Sequence, residues 1–322
     1  MTSEANDDVP LAEPTGQPDG SPAPAGAIAP PADDRVELPS GEALSPVELD
    51  EFLRFRSATI VSLIGERSSG KTTLIASIYG RFLKGPFAGR LFAGSRSLLA
   101  FERIIHDSRV DSGRAVADTH RTSRSETASF LHLATAAASA PSQRVDLMIS
   151  DRAGEDYADA RGISSLVSGF LEIQKADRVV VLLDGARIRN RVERAEAVQA
   201  VRQMIRALLD GGALSERSVV QVVTTKMDLL AGGDDDAETS QLLTSFRDDL
   251  TSAFGARLGE LTYWEVAARD PLGKFELAHG VDALLMEWNT PRELPKLRSD
   301  VAPEPTDEFD RLAFRPRPAR WS

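Results

Sequence analysis

Gly65-Glu66-Arg67-Ser68-Ser69-Gly70-Lys71-Thr72 decides how the rest of the chain is read. It has the spacing GxxxxGK[ST] and stands between an apolar, β-branched run, Ala58 to Ile64, and a helical pattern that opens at Thr73-Leu74-Ile75. The run reads as a buried parallel strand, and the turn after it aims successive backbone N–H groups and a helix N-terminus at one point. Donors so arranged suit the β-phosphate of a nucleotide. The cradle read here is Gly65, Glu66, Arg67, Ser68, Ser69, Gly70, Lys71, Thr72 and Thr73. Lys71 bridges the β- and γ-phosphates, and the Thr72 hydroxyl ligates Mg²⁺. Gly65 permits the turn out of the strand, and at Gly70 a side chain would crowd the phosphate.

Working outward, Asp151-Arg152-Ala153-Gly154 follows the apolar run Val145 to Ser150. A carboxylate there, at the end of a strand beside the phosphate loop, holds Mg²⁺ through water, and Gly154 offers an unobstructed N–H to a γ-phosphate. Thr225-Lys226-Met227-Asp228 ends the next-but-one strand-like run, Ser218 to Thr224, after Asp177 to Asp184. The Asp228 carboxylate can accept the N1–H and N2 amino protons of guanine, a donor pair that adenine lacks. The Lys226 stem covers the base and Thr225 ties the loop to the phosphate loop. A last strand over Leu261–Val266 delivers Ala267, Ala268 and Arg269 to the same edge, where backbone N–H groups of the two alanines meet guanine O6.

At 322 residues the chain can bury a large core, and its net charge of −11 argues against general nucleic-acid or membrane binding. It has no cysteine, so disulfides and thiolate metal sites are excluded, which fits a cytoplasmic protein. No signal peptide or membrane-spanning run is read. Residues 1–44, rich in Pro, Ala and acid, read as a disordered tail; residues 45–292 form the folded domain; residues 293–322 read as a second disordered tail. Ser45-Pro46-Val47-Glu48 has the residues of a helix start, and further helices are expected over Ser95–Ile105, Val192–Leu209, Glu238–Leu258 and Val281–Trp288. In the first of these, Leu98, Phe101, Glu102 and Ile105 line one side. Strands are expected over Phe130–Leu133 and Arg144–Ser150, with Asp146 at the surface. The acidic Gly232–Asp236 stretch reads as a solvated loop, and His106, His120, His132 and His279 lack metal-ligand spacing.

The ordered set GERSSGKT, DRAG, TKMD and VAAR, with strands and helices alternating between, resembles the translation-factor-related (TRAFAC) class of P-loop GTPases over residues 55–292. Phe92-Ala93-Gly94-Ser95 with Phe101-Glu102, and Phe130 to Leu133, further resemble the bacterial double-GTPase group, whose members are associated with multi-component conflict systems. The resemblance implies an α/β fold of the G-domain type: a doubly wound, mostly parallel sheet with nucleotide at the carboxyl ends of its strands. It also implies GTP and GDP as ligands with Mg²⁺, and a protein partner, either a second GTPase or an effector. A switch threonine that completes the metal site falls at Thr122, with Thr119 next. Lys71, Thr122, Gly154 and Glu155 then take the catalytic positions. Glu155 stands where the class has glutamine, so turnover without a partner is expected to be slow; Arg152 is a nearby source of the missing donor. Two functions stay open, a GTP-hydrolysing switch and a nucleotide-gated interaction module with little turnover, with a P-loop ATPase disfavoured by Asp228.

Overall fold

A computed structural model describes residues 39–108, 128–161, 164–232, 236–269, 273–276 and 278–291. The elements in order are α1 (Pro46–Phe55), β1 (Thr59–Ile64), α2 (Lys71–Phe82), β2 (Arg90–Gly94), α3 (Leu98–Ser108), β3 (Ser129–Ala137) and β4 (Ala140–Asp151). There follow α4 (Gly154–Ala160), α5 (Leu171–Gln174), β5 (Arg178–Asp184), α6 (Gly185–Arg189), α7 (Arg194–Asp210), β6 (Val219–Thr225) and α8 (Met227–Leu230). The last three are α9 (Asp236–Phe254), β7 (Glu260–Glu265) and α10 (Val281–Asn289).

The strands form one seven-stranded sheet in the order β2-β3-β4-β1-β5-β6-β7. From β4 to β7 the pairings are parallel, while β3 runs antiparallel to β4 and β2 antiparallel to β3. Every residue of β5 and β6 is buried, as strands covered on both faces require. One face packs Val179, Val181, Val220 and Val222 against α7 and α9 through Met204, Ile205, Phe246 and Leu250. The other packs Val61, Leu63, Val180 and Val223 against α2, α3 and α10 through Ile75, Phe101 and Trp288. The expected doubly wound α/β sheet is therefore the fold. No helix among the described residues is long and apolar enough to cross a membrane.

Ser45 caps α1, its hydroxyl accepting from the Glu48 N–H while Glu48 reaches back to the Ser45 N–H at 2.7 Å. Order begins ahead of residue 45, a correction to the tail boundary: Leu44 is buried and exchanges backbone hydrogen bonds with Phe130, both 2.8 Å. The strand β2 was not read from the sequence. It is a short, half-exposed edge between Gly89 and Gly94, both at positive φ, so it carries no period-2 signal. The following helix accordingly starts at Leu98 rather than Ser95, and Leu98 is exposed while Phe101 and Ile105 are buried.

Asp146 is buried, not a surface residue. Its carboxylate accepts from His132 Nε2 at 2.8 Å and from Arg144 at 2.6 Å. His132 Nδ1 in turn accepts the Arg96 N–H at 2.9 Å, so Nε2 is the nitrogen that carries the proton. Antiparallel pairing of β3 with β4 places His132 opposite Met148, two residues along from Asp146, which the sequence does not reveal. Burial raises the Asp146 pKa, but the bonds from His132 and Arg144 outweigh it and hold the group at about 2. A depressed carboxylate pKa contributes stability above the unfolded value of 3.8 that is lost as pH falls toward 2, on the order of 2 kcal/mol. Asp146→Asn is expected to lose about that much near neutrality, with the gap to the parent closing in acid. Denaturant titrations at pH 7 and pH 3 check this; equal stability at pH 7 would contradict it.

Candidate functional site

β1 feeds Gly65 into a turn in which Ser68 and Gly70 take positive φ, 63° and 99°, before α2 begins at Lys71. Left-handed residues in such a turn bring successive N–H groups to one side, and the unpaired donors of α2's first turn extend the set. A side chain at Gly70 would meet the strained backbone. Thr72 and Thr73 are half-buried on that first turn. Lys71 is 8% exposed and donates to the carbonyls of Gly65 at 2.7 Å and Glu66 at 3.3 Å. Burial lowers its pKa, and the carboxylates of Asp151, Glu155 and Glu66 work against that by favouring the ammonium.

Asp151 closes β4, whose Ser150 is level with Ser62 of the neighbouring β1, so it lies at the same sheet edge as the phosphate loop. Gly154 packs directly on that loop. A Cβ there would lie 2.7 Å from Arg67 N and 2.7 Å from Glu66 C, backbone atoms that cannot yield, so only glycine fits. Glu155 follows, half-buried in the first turn of α4. Thr225 and Lys226 reach the same loop from β6: the Thr225 hydroxyl donates to Ser69 O at 2.8 Å, and the Lys226 ammonium donates to Ser68 O at 2.7 Å and Asp184 at 2.9 Å. Asp228 is 4% exposed in the first turn of α8. Lys274 donates to the carbonyl oxygens of Asp228, at 2.9 Å, and of Ala231, holding this turn from outside.

Two expected roles do not survive the geometry. The Ala267 N–H donates to His279 O at 3.0 Å, so it is not available to guanine O6, which leaves Ala268 as the candidate donor. Arg152 is 6% exposed and bonded to Glu172 at 2.7 Å, with its guanidinium over the Phe170 ring, and is committed there rather than to a phosphate. Thr122 and Thr119 lie outside the described residues. Glu66, read from the sequence only as a cradle residue, also bridges through its carboxylate to Arg161 at 2.6 Å and to Arg187, joining the phosphate loop to the end of α4 and to α6. Nothing local signals that bridge, because its three members are far apart in the chain.

The arrangement fits a phosphate-borne Mg²⁺. Among the described residues no three His, Cys, Asp or Glu side chains form a metal cage. Mg²⁺ takes one or two protein oxygens and draws the rest from phosphates and water, which matches Thr72 and Asp151.

The sequence model of the Double-GTPase 2 family matches residues 59–289. No curated protein matches. Several solved structures are similar to this chain at low identity. The signal recognition particle receptor SRb, in its GTP–SRX complex from Chaetomium thermophilum, is 14% identical, with a TM-score of 0.38 over 69% of this chain and 95% of that one. The GTPase-like domain of Ski7 from S. cerevisiae, bound to GDP and inorganic phosphate, is 13% identical, with a TM-score of 0.45 over 78% of this chain and 54% of that one. The elongation factor SelB from Methanococcus maripaludis, with a GTP analogue, is 12% identical, with a TM-score of 0.35 over 74% and 36%. By the family match, which runs from the first residue of β1 to the last of α10, the chain belongs to the Double-GTPase 2 family.

Proposed function

We propose that the chain is a Mg²⁺-dependent GTPase, slow on its own, that acts in the cytoplasm as a molecular switch within a multi-component bacterial system. The observation that carries this reading is the pair of side-chain bonds from Thr225 and Lys226 to Ser69 O and Ser68 O. They join the base-reading loop to the phosphate loop, so that one ligand with both a guanine and a phosphate chain is addressed by a single framework. Asp228 accepts from the base, the backbone of the phosphate loop and the Gly154 N–H donate to phosphate oxygens, and the Lys71 ammonium offsets their charge. Thr72 and Asp151 would hold a Mg²⁺ ion, which when bound would further neutralise the phosphate oxygens.

Glu155 sets the rate in this reading. Its field already favours the ammonium of Lys71, so the carboxylate and an incoming γ-phosphate compete for the same cation. A like-charge pair about 4 Å apart at an effective dielectric near 20 costs on the order of 4 kcal/mol. An ionised carboxylate also has no proton to donate, whereas a glutamine amide both donates and accepts. With Arg152 held by Glu172, fast hydrolysis requires a donor from another chain, which is the role given to a partner GTPase or effector. The same residue favours the second reading, a nucleotide-gated interaction module with little turnover, whose loops are ordered by the γ-phosphate.

Single-turnover hydrolysis of GTP and ATP, with and without Mg²⁺, tests the proposal. Slow, Mg²⁺-dependent cleavage of GTP in preference to ATP is expected, and Glu155→Gln should hold or raise the rate. A fast parent rate that collapses in Glu155→Gln would instead make Glu155 a catalytic base; no cleavage under any condition would leave the module.

A further inference from the structure

The helix that carries Asp228 does not hold itself. α8 is a single turn of four residues, entered through Lys226 in the left-handed region at φ 55° and left through Ala231 in extended backbone. One turn is too short to be stable alone, and a left-handed residue other than glycine adds strain. The carbonyl oxygens at the end of a helix lack partners within it, and a cation is favoured there. Two cationic side chains from other parts of the chain meet that need. Lys274 donates to Asp228 O at 2.9 Å and to Ala231 O, and Arg189 Nη1 donates to Leu229 O at 3.1 Å.

Lys274 also belongs to a segment that serves the other side of the base. The neighbouring Phe275 ring stacks on the His279 ring, with 4.5 Å between centroids and 25° between planes, and the His279 N–H donates to Glu276 O at 3.1 Å. His279 O in turn takes the Ala267 N–H at 3.0 Å, next to Ala268, the candidate donor to guanine O6. Residues 273–276 thus touch α8 through Lys274, and the turn after β7 through Phe275 and Glu276. The two loops also meet at a main-chain bond, Met227 N–H to Val266 O at 3.2 Å, a pivot that fixes their bases but not their tips.

We infer that Lys274 is a positioning residue for base selection. It does not touch the nucleotide; it sets the spacing between Asp228 and Ala268, so that guanine meets an acceptor for its N1 and N2 protons and a donor for O6 at once. This rests on the guanine reading above. Lys274 is exposed, so its exchange costs the fold little. What changes is the aim of the carboxylate, and an acceptor pair that must face two protons together tolerates least displacement.

Calorimetry on the full chain with Mg²⁺ and GTP, inosine triphosphate or ATP tests this. Inosine keeps N1–H and O6 but lacks the N2 amino group, so the ratio of GTP to inosine triphosphate affinity reports whether both protons are engaged. The parent should favour GTP by about tenfold or more. Lys274→Met, which keeps the stem and removes the donors, should cut that ratio to about twofold, with inosine triphosphate binding showing that the variant is folded. Lys274→Arg, whose guanidinium can also donate to two carbonyl oxygens, should restore most of it. A parental ratio in Lys274→Met, equal losses for GTP and inosine triphosphate, or an arginine variant no better than the methionine one would overturn the inference. A parent that binds all three nucleotides equally would overturn the guanine reading, and this inference with it.

Discussion

Replacing Asp228 with asparagine is expected to lower GTP affinity about a hundredfold or more and to shift preference toward xanthosine triphosphate. The carboxylate is 4% exposed, so water cannot replace the acceptors that are lost, and hydrogen bonds to a buried charge are each worth about 1.5–3 kcal/mol. Asparagine retains one acceptor and places an amino group where the second oxygen was. That donor opposes the guanine amino group and suits the C2 carbonyl of xanthine. The turn itself should persist, because Lys274 holds it through main-chain carbonyls that the substitution leaves in place. Calorimetry with GTP, xanthosine triphosphate and ATP, each with Mg²⁺, checks the exchange. Equal ATP and GTP affinities in the parent would remove the base assignment.

Lys71→Ala is expected to reduce triphosphate affinity and to slow turnover by about a hundred- to a thousandfold, with the fold intact. The two effects separate because burial lowers the Lys71 pKa: the folded state disfavours the ammonium, so deleting it relieves a cost rather than removing a support. The carbonyls of Gly65 and Glu66 lose a donor, but both belong to a loop also held by Thr225 and Lys226. Thermal unfolding should therefore shift little while single-turnover hydrolysis collapses. Parental turnover with an unchanged Mg²⁺ requirement would exclude the phosphate-loop reading.

What could be read from the chain and what could not divide along a physical line. β5 and β6 declare themselves through valine-rich, mostly apolar runs, and α2, α7 and α9 through apolar spacing, since burial on two faces or one stripe is written into adjacent residues. Because β1, β4, β5 and β6 run parallel, the segments that follow them meet at one edge, which the order of the motifs already implies. The short edge strand β2 carries no such pattern. Nor do contacts between distant segments: Ala267 gives its N–H to His279, Arg152 gives its charge to Glu172, and Asp146 is buried by His132. Glu66 reads as a cradle residue by position alone, yet its side chain faces two arginines from other elements. These facts depend on tertiary partners, and single-chain periodicity is blind to them.

The Arg152–Glu172 pair also divides the segment after β4 into parts of unequal local stability. Arg152 and Glu172 are 6% and 1% exposed, and the Tyr157 hydroxyl donates to the same carboxylate at 3.2 Å. Prising this part open would strand a buried charge, which costs about 3–5 kcal/mol. Its amides therefore exchange with solvent only through openings that approach global unfolding. Arg161, by contrast, is held to Glu66 by an ion pair within reach of water, whose loss is cheap. The segment is thus most easily loosened beyond Tyr157, at the far end of α4, while Gly154 stays seated on the phosphate loop.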